Sequence, residues 1–138
     1  MNTKDAITEL LYLLKDFYVH HRCLLEFKSL LKKELSGKAD SFLQVLITQL
    51  KLLSDLGSRI ITVDDHEKLK YSDHDIYSIH LKRNQFNIRL LVIFDKMSNP
   101  YLLTVFFERS GKKASDYTDK TRIAYQRYVE LQEEEKNG

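Results

Sequence analysis

The sequence is poor in the residues that build disulfide-linked, secreted or membrane-spanning proteins. It has one cysteine, Cys23, which excludes an internal disulfide and is typical of a reducing compartment. No stretch approaches the roughly twenty apolar residues of a membrane span. Asp5 and Glu9 interrupt the N-terminal segment where a secretory signal needs a continuous apolar run. We therefore expect a cytoplasmic protein with no membrane partner.

Glycine and proline are also scarce, and tryptophan is absent: the chain has four glycines and one proline. Four scattered glycines do not form the Gly-rich loop that cradles nucleotide phosphates, so we expect neither ATP nor GTP hydrolysis and no cofactor. The length of 138 residues and the hydrophobic content of 43% are those of a single globular domain.

Three clusters of potential metal ligands lack the spacing of a metal site: residues 20–23, 64–66 and 73–75. Adjacent side chains converge on one ion only with the help of distant partners, and neither Asp/His cluster has a calcium or zinc spacing. We interpret all three as loop or surface residues and expect no metal.

Charge is distributed unevenly, although the formal net charge is only +2. The segment from Ile76 to Lys113 is strongly basic, and its only anions are Asp95 and Glu108. A local basic surface concentrates polyanions even when the whole chain is near neutral, so this segment favours an anionic partner. Its seven cations are Lys82, Arg83, Arg89, Lys96, Arg109, Lys112 and Lys113.

Hydrophobic spacing predicts four helices. Gly37 and Gly57 end the second and third of these, and the short turn between them predicts an antiparallel helical hairpin over 24–56. The predicted helices cover residues 3–17, 24–35, 41–56 and, from Thr118 or Asp119 onward, 118–135.

After Gly57 the spacing becomes that of strands. Hairpin-length loops join three strands into an antiparallel meander over 76–108, and a shorter strand is expected at 60–63, followed by a polar loop over 64–75. The three strands are 76–82, 86–94 and 101–108. The predicted class is α+β, with N-terminal helices packed on a small, twisted, mainly antiparallel sheet and a C-terminal helix.

Alternation along these strands predicts one apolar face packed on the helices, which includes Leu103 of the third strand, and one open polar face, which includes Leu102. The open face collects His80, Lys82, Arg89 and Glu108, and it offers the ring of Phe106 to a stacking base. Alternating charges often mean only a solvated surface. Arg89 is the exception, because a cation inside FNIRLLVIF is costly unless it is paired or used, and a salt bridge to Glu108 would satisfy it equally well.

The same strands carry a resemblance to a known family. Lys68-Leu69, IYSIHLKR, FNIRLLVIF and LLTVFFERSGKKASDY, followed by a closing helix, resemble the RelE/ParE superfamily of bacterial type II toxins, most of all its HigB-like, phage-derived branch. The resemblance spans about Leu24 to Tyr128, and Ser78 and His80 depart from the family's usual glutamate and arginine. It implies one toxin domain over 1–138, in which 1–17 is an added helix.

The resemblance implies an endonuclease that cleaves mRNA in the ribosomal A site and is neutralised by a helix-turn-helix antitoxin. The ribose 2′-hydroxyl attacks the adjacent phosphate without a metal, which requires a base, an acid and cations. Arg89 with Lys82 or Lys112 would stabilise the phosphate charge. His80 or Glu108 would be the base, and the other of the two, or Lys113, the acid.

The resemblance also implies a set of residues that bind RNA. Tyr117 is one of them, and its side chain is expected either to reach the site or to pack against the last helix. The predicted RNA-binding residues are Lys82, Arg83, Phe106, Arg109, Lys113 and Tyr117. Two other functions stay open. One is a gyrase-inhibiting, ParE-like toxin that acts by binding, and the other is a catalytically silent, phage-derived binding protein of the same fold.

Overall fold

A mixed five-stranded sheet with helices on both faces organises the chain, and the predicted α+β class is confirmed. The computed structural model describes residues 1–63, 65–109 and 117–137. In these ranges no helix is long and apolar enough to cross a membrane. The helices are α1 (Thr3–Leu14), α2 (His21–Lys32), α3 (Ala39–Leu56), a 3₁₀ helix (Gly57–Thr62) and α4 (Tyr117–Asn137). The strands are β1 (Tyr18–Val19), β2 (Glu67–Tyr71), β3 (His74–Arg83), β4 (Phe86–Phe94) and β5 (Pro100–Phe107).

The sheet has the strand order β1-β5-β4-β3-β2. The predicted antiparallel meander forms its centre as β3, β4 and β5, and β2 adds antiparallel to β3 at one edge. At the other edge β1 pairs parallel with β5, so that the chain enters the helical hairpin of α2 and α3 directly from the sheet.

The helices α1, α2 and α3 cover one face of the sheet and build the main core. Phe27 and Phe42 of the hairpin are fully buried with Ile79 and Leu90 of the sheet. Burying a side chain of this size stabilises a fold by roughly 1.5–3 kcal/mol. The apolar parity predicted for the first two strands of the meander therefore does face the helices.

The other face of the sheet is not open, which corrects the expectation from sequence. α4 packs against it, and Leu91, Ile93 and Leu103 of the sheet form a second buried cluster with Ala124, against which Tyr128 packs. The reason is physical: this parity of the strands is itself largely apolar and is costly to leave in water. The charged residues of this face, among them Arg89, lie where β3 ends and β4 begins, whereas the neutral polar residues Ser78 and Thr104 are buried.

A β-bulge changes the faces of β5 relative to simple alternation. Leu91 pairs with Thr104, whereas Val92 pairs with Leu102, so Leu103 is the additional residue in β5. Leu102 consequently joins the core on the hairpin side and Leu103 the cluster under α4, the reverse of the predicted parity.

Two local predictions between α3 and the meander are wrong. Residues 60–63 were expected to be a strand, but Gly57–Thr62 continues α3 as a 3₁₀ helix that buries Ile60. The predicted polar loop contains β2, an edge strand whose outward residues are exposed while Leu69 and Tyr71 are partly buried. A strand with one solvated face and so few apolar residues gives little hydrophobic signal.

A largely buried ion pair fastens α4 to α2 across β5. Arg127 is 9% exposed, and its Nη1 donates to Glu26 Oε1 at 2.7 Å and to the Leu103 carbonyl oxygen at 2.9 Å. Thr104 Oγ1 donates to the same carboxylate oxygen at 2.9 Å. Breaking such a pair by removing one partner is costly because it leaves the other charge uncompensated.

Arg127→Met should therefore lower the free energy of unfolding by about 3 kcal/mol. The matched control is Arg122→Met on the same helix, whose ion pair with Asp119 is exposed to solvent and should contribute little to stability. Urea denaturation of both variants measures the difference. Equal losses for the two variants would contradict a structural role for the buried pair.

Candidate functional site

The three predicted catalytic residues of the sheet come together where β3 ends and β4 begins. His80 and Arg89 are directly opposite each other in the antiparallel register, and Glu108 follows β5 on the neighbouring strand. Arg89 Nε donates to Glu108 Oε2 at 2.9 Å, and His80 Nε2 lies 3.8 Å from the same oxygen. The strand pairing thus fixes a His–carboxylate–Arg cluster.

Arg89 is buried within this cluster, and every nitrogen of its guanidinium has a partner. It is 5% exposed. Besides the bond to Glu108, Nη1 donates to the Asp65 carbonyl oxygen at 2.9 Å and Nη2 to Glu67 Oε1 at 3.3 Å. The salt bridge that could satisfy Arg89 is therefore present, and it is joined by two further acceptors.

Glu108 is held as a carboxylate by its donors. Burial by itself raises its pKa, but hydrogen bonds from Tyr117 and Arg89, together with the Arg89 charge, outweigh burial and leave the pKa below its usual value. Tyr117 donates to Glu108 Oε1 at 2.7 Å. Burial and this hydrogen bond raise the pKa of Tyr117, which stays a neutral donor. Tyr117 therefore reaches the cluster, which was one of its two predicted positions.

His80 is held on both sides of its ring and through its backbone. Nε2 is hydrogen-bonded to Asn87 Oδ1, and Nδ1 lies 4.0 Å from Asp65 Oδ2. The backbone N–H donates to His66 Nδ1 at 2.9 Å, and His66 Nε2 contacts Gln49 Oε1 at 2.8 Å. Because His66 Nδ1 accepts, its Nε2 carries the proton that it donates to Gln49.

One side of this cluster borders a groove of about 820 Å³ between α3 and the β3–β4 hairpin. The groove lies beyond the first residue of β2, since Glu67 pairs with Ser78 and the rest of β2 pairs with β3 in the direction of His74. Three predicted site residues line it: the buried His80 and the exposed Lys82 and Arg83 of the hairpin. The full lining is Ser41, Gln44, Val45, Thr48, Gln49, Asp65, His80, Lys82, Arg83, Asn84 and Gln85.

Phe106 and Arg109, which were also predicted to bind RNA, are not among the residues that line this groove. Phe106 is 8% exposed, edge-to-face with Tyr117 and with Lys120 Nζ 4.8 Å from its ring centre, so its ring is not the open stacking platform expected. Arg109 is exposed just beyond Glu108. Lys112 and Lys113 fall in 110–116, outside the described residues, and their roles stay predictions.

Several residues of the cluster were not identified from the sequence. Asn87 had a usable signal, because a hairpin whose loop is Asn84-Gln85 sets Lys82 opposite Asn87 and His80 opposite Arg89. Asp65 and Glu67 had a weaker one: a buried arginine needs several acceptors, but nothing local showed that this loop supplies them.

Comparison with known proteins finds no relative of this chain. No family model, no curated protein and no solved structure matches it.

Over the described parts of the chain, no three His, Cys, Asp or Glu side chains are grouped so that they could hold a metal ion. The groups that the cluster itself presents are an imidazole, an ionised carboxylate and a guanidinium.

Glu108→Gln should change how stability depends on pH. A carboxylate whose folded-state pKa is lowered stabilises the fold above the unfolded pKa of about 4.3, and this contribution is lost as the pH falls through the folded pKa. Wild type should therefore lose stability on acidification below about pH 4.3, whereas Glu108→Gln should start lower at pH 7 and lose less.

Urea denaturation across this pH range measures the effect, with Glu134→Gln, an exposed carboxylate on α4, as the matched control. The control should follow wild type. If Glu108→Gln showed the full acid loss of wild type, Glu108 would not be stabilised by Arg89 and Tyr117 in the folded state.

Proposed function

We propose that this protein is the toxin of a type II toxin–antitoxin pair, a cytoplasmic endonuclease that cleaves mRNA in the ribosomal A site. One observation carries the proposal: His80 lines a groove flanked by cations and lies 3.8 Å from the Glu108 carboxylate. The resemblance of the strands to RelE/ParE toxins supports it. So does the order of a helical hairpin, an antiparallel meander and a closing helix, which the resemblance implies.

His80 is the proposed general base. In the neutral ring, Nε2–H donates to Asn87 Oδ1, which leaves Nδ1 unprotonated and able to take the proton of a ribose 2′-hydroxyl. The 2′-oxygen then bonds to the adjacent phosphorus, and the bond from phosphorus to the 5′-oxygen breaks. The products are a 2′,3′-cyclic phosphate and a 5′-hydroxyl. Glu108, ionised and close to Nε2, stabilises the imidazolium that forms.

Arg89 and the exposed cations take different roles in this scheme. Because each guanidinium nitrogen of Arg89 already donates to the protein, Arg89 is a positioning residue that fixes Glu108. Lys82 and Arg83, which are exposed at the groove, are the proposed residues that stabilise the charge of the phosphate. The proton that the departing 5′-oxygen requires is assigned to Lys113, one of the acids that the resemblance implies.

The partner proposed for the toxin is a helix-turn-helix antitoxin, an inference from the resemblance alone. A second candidate function is a catalytically silent binding protein of the same fold. The burial and complete pairing of Arg89 favour this candidate, because a toxin that used Arg89 to bind phosphate would need to expose it.

His80→Gln should reduce mRNA cleavage by at least about 10²-fold, because glutamine can hydrogen-bond to Asn87 but cannot act as a base. The readout is primer extension on mRNA after induced expression in a bacterial host, together with growth. His21→Gln is the matched control, since His21 is exposed at the start of α2. It should cleave like wild type.

Three outcomes separate the alternatives. Cuts within translated codons that disappear in His80→Gln support the nuclease. Intact mRNA with growth arrest and stalled gyrase would replace it with the gyrase-binding toxin, and normal growth with intact mRNA would leave the silent binding protein. Urea denaturation of His80→Gln verifies that it is folded.

A further inference from the structure

The groove beside His80 has the size and the boundaries of a site for one small polar ligand. Its volume of about 820 Å³ falls within the range of about 300–1,000 Å³ that is typical of small-molecule sites. α3 forms one wall and the β3–β4 hairpin the other. Within the described residues no strand pairs with the outer edge of β3 beyond Ser78, so that edge faces the groove.

The α3 wall of the groove is a stripe of amide and hydroxyl side chains. Ser41, Gln44 and Thr48 follow one another at helical spacing, while Phe42 and Leu46 of the same helix are fully buried in the core. Thr48 Oγ1 donates its proton to the Gln44 carbonyl oxygen at 3.1 Å, which leaves the hydroxyl oxygen as an acceptor. A glutamine amide presents a donor beside an acceptor, the pattern found along nucleobase edges.

The opposite wall carries positive charge. Lys82 and Arg83 are exposed on the hairpin, and Lys38 Nζ, from the start of α3, donates to the Gln85 carbonyl oxygen at 3.2 Å. This hydrogen bond connects the hairpin loop to the start of α3 and places a third cation beside Gln85, which lines the groove. Asp65 is the single acidic residue among the described residues that line the groove.

The residue types that line the groove indicate how it would recognise a base. No phenylalanine, tyrosine or tryptophan is among the described lining residues, so a base would meet mainly hydrogen-bonding groups there and not the large ring on which bases of any kind stack. Amides and hydroxyls recognise a base through hydrogen bonds to its edge, which differ between bases. A site with cations at one wall and amides at the other therefore suits a nucleotide, and it should prefer one base.

We propose that this groove binds a single nucleotide, with its phosphate at Lys82 and Arg83 and its base against Gln44 on α3. For RNA as the natural substrate the inference rests on the proposed function. In that setting the groove selects the nucleotide that is presented to His80, and Gln44 is a residue that determines specificity without taking part in the chemistry.

The test is binding of the four ribonucleoside 5′-monophosphates and of inorganic phosphate to the full-length protein. Amide chemical shifts from NMR titrations give both the affinity and the location. One monophosphate should bind about tenfold more tightly than the weakest, with shifts at the groove. Gln44→Ala should remove most of this preference, and Lys82→Ala should weaken all four about equally. Gln126→Ala, an exposed amide on α4, is the matched control and should change neither.

The inference is overturned by any of three results: no shifts at the groove, phosphate binding as tightly as the nucleotides, or an unchanged base preference in Gln44→Ala. The proposed function fails separately. Nucleotide binding at the groove without mRNA cleavage would remove the nuclease and keep the site, whereas cleavage without nucleotide binding would keep the nuclease and remove the site.

Discussion

The burial of Arg89 in an apolar strand is the constraint on which this end of the molecule depends. A guanidinium that is removed from water must find acceptors in the protein. Glu108, Glu67 and the Asp65 carbonyl oxygen supply them, so that one side chain ties together β4, the end of β5, β2 and the loop before it. Because Arg89 needs Glu108 as an acceptor, Glu108 is held beside His80. The structural ion pair therefore also positions the groups of the candidate site.

Periodicity was sufficient for the elements that bury a continuous apolar face. The helical hairpin and the strands of the meander were predicted because their spacing alone distinguishes helix from strand. β2 was missed because a polar edge strand buries little, and the faces of β5 were reversed at Leu102 and Leu103 because a bulge arises from cross-strand register. The packing of α4 on the second face of the sheet is a contact between segments that are distant in sequence, and local spacing does not predict such contacts.

The location of the candidate site could be predicted from the sequence, as the helical hairpin and the meander could. Alternation and a short hairpin loop place His80, Arg89 and Glu108 on one face, and the structure brings them within hydrogen-bonding or ion-pair distance. The roles could not be derived in this way. Arg89 was predicted to bind phosphate, but Glu67 at the start of β2 and the Asp65 carbonyl oxygen in the loop before it occupy its nitrogens, and no periodicity defines the path of this segment. The groove beside α3 likewise depends on where β2 begins, which the spacing of apolar residues does not show.

The most direct test of the central claim is the chemistry of the RNA ends after induced expression. Attack by the 2′-hydroxyl with His80 as the base leaves a 2′,3′-cyclic phosphate on one fragment and a 5′-hydroxyl on the other. Sequencing of RNA ends should find paired termini of this kind within translated codons for wild type and for His21→Gln, but not for His80→Gln. Their absence in wild type, or their persistence in His80→Gln, would contradict a nuclease centred on His80.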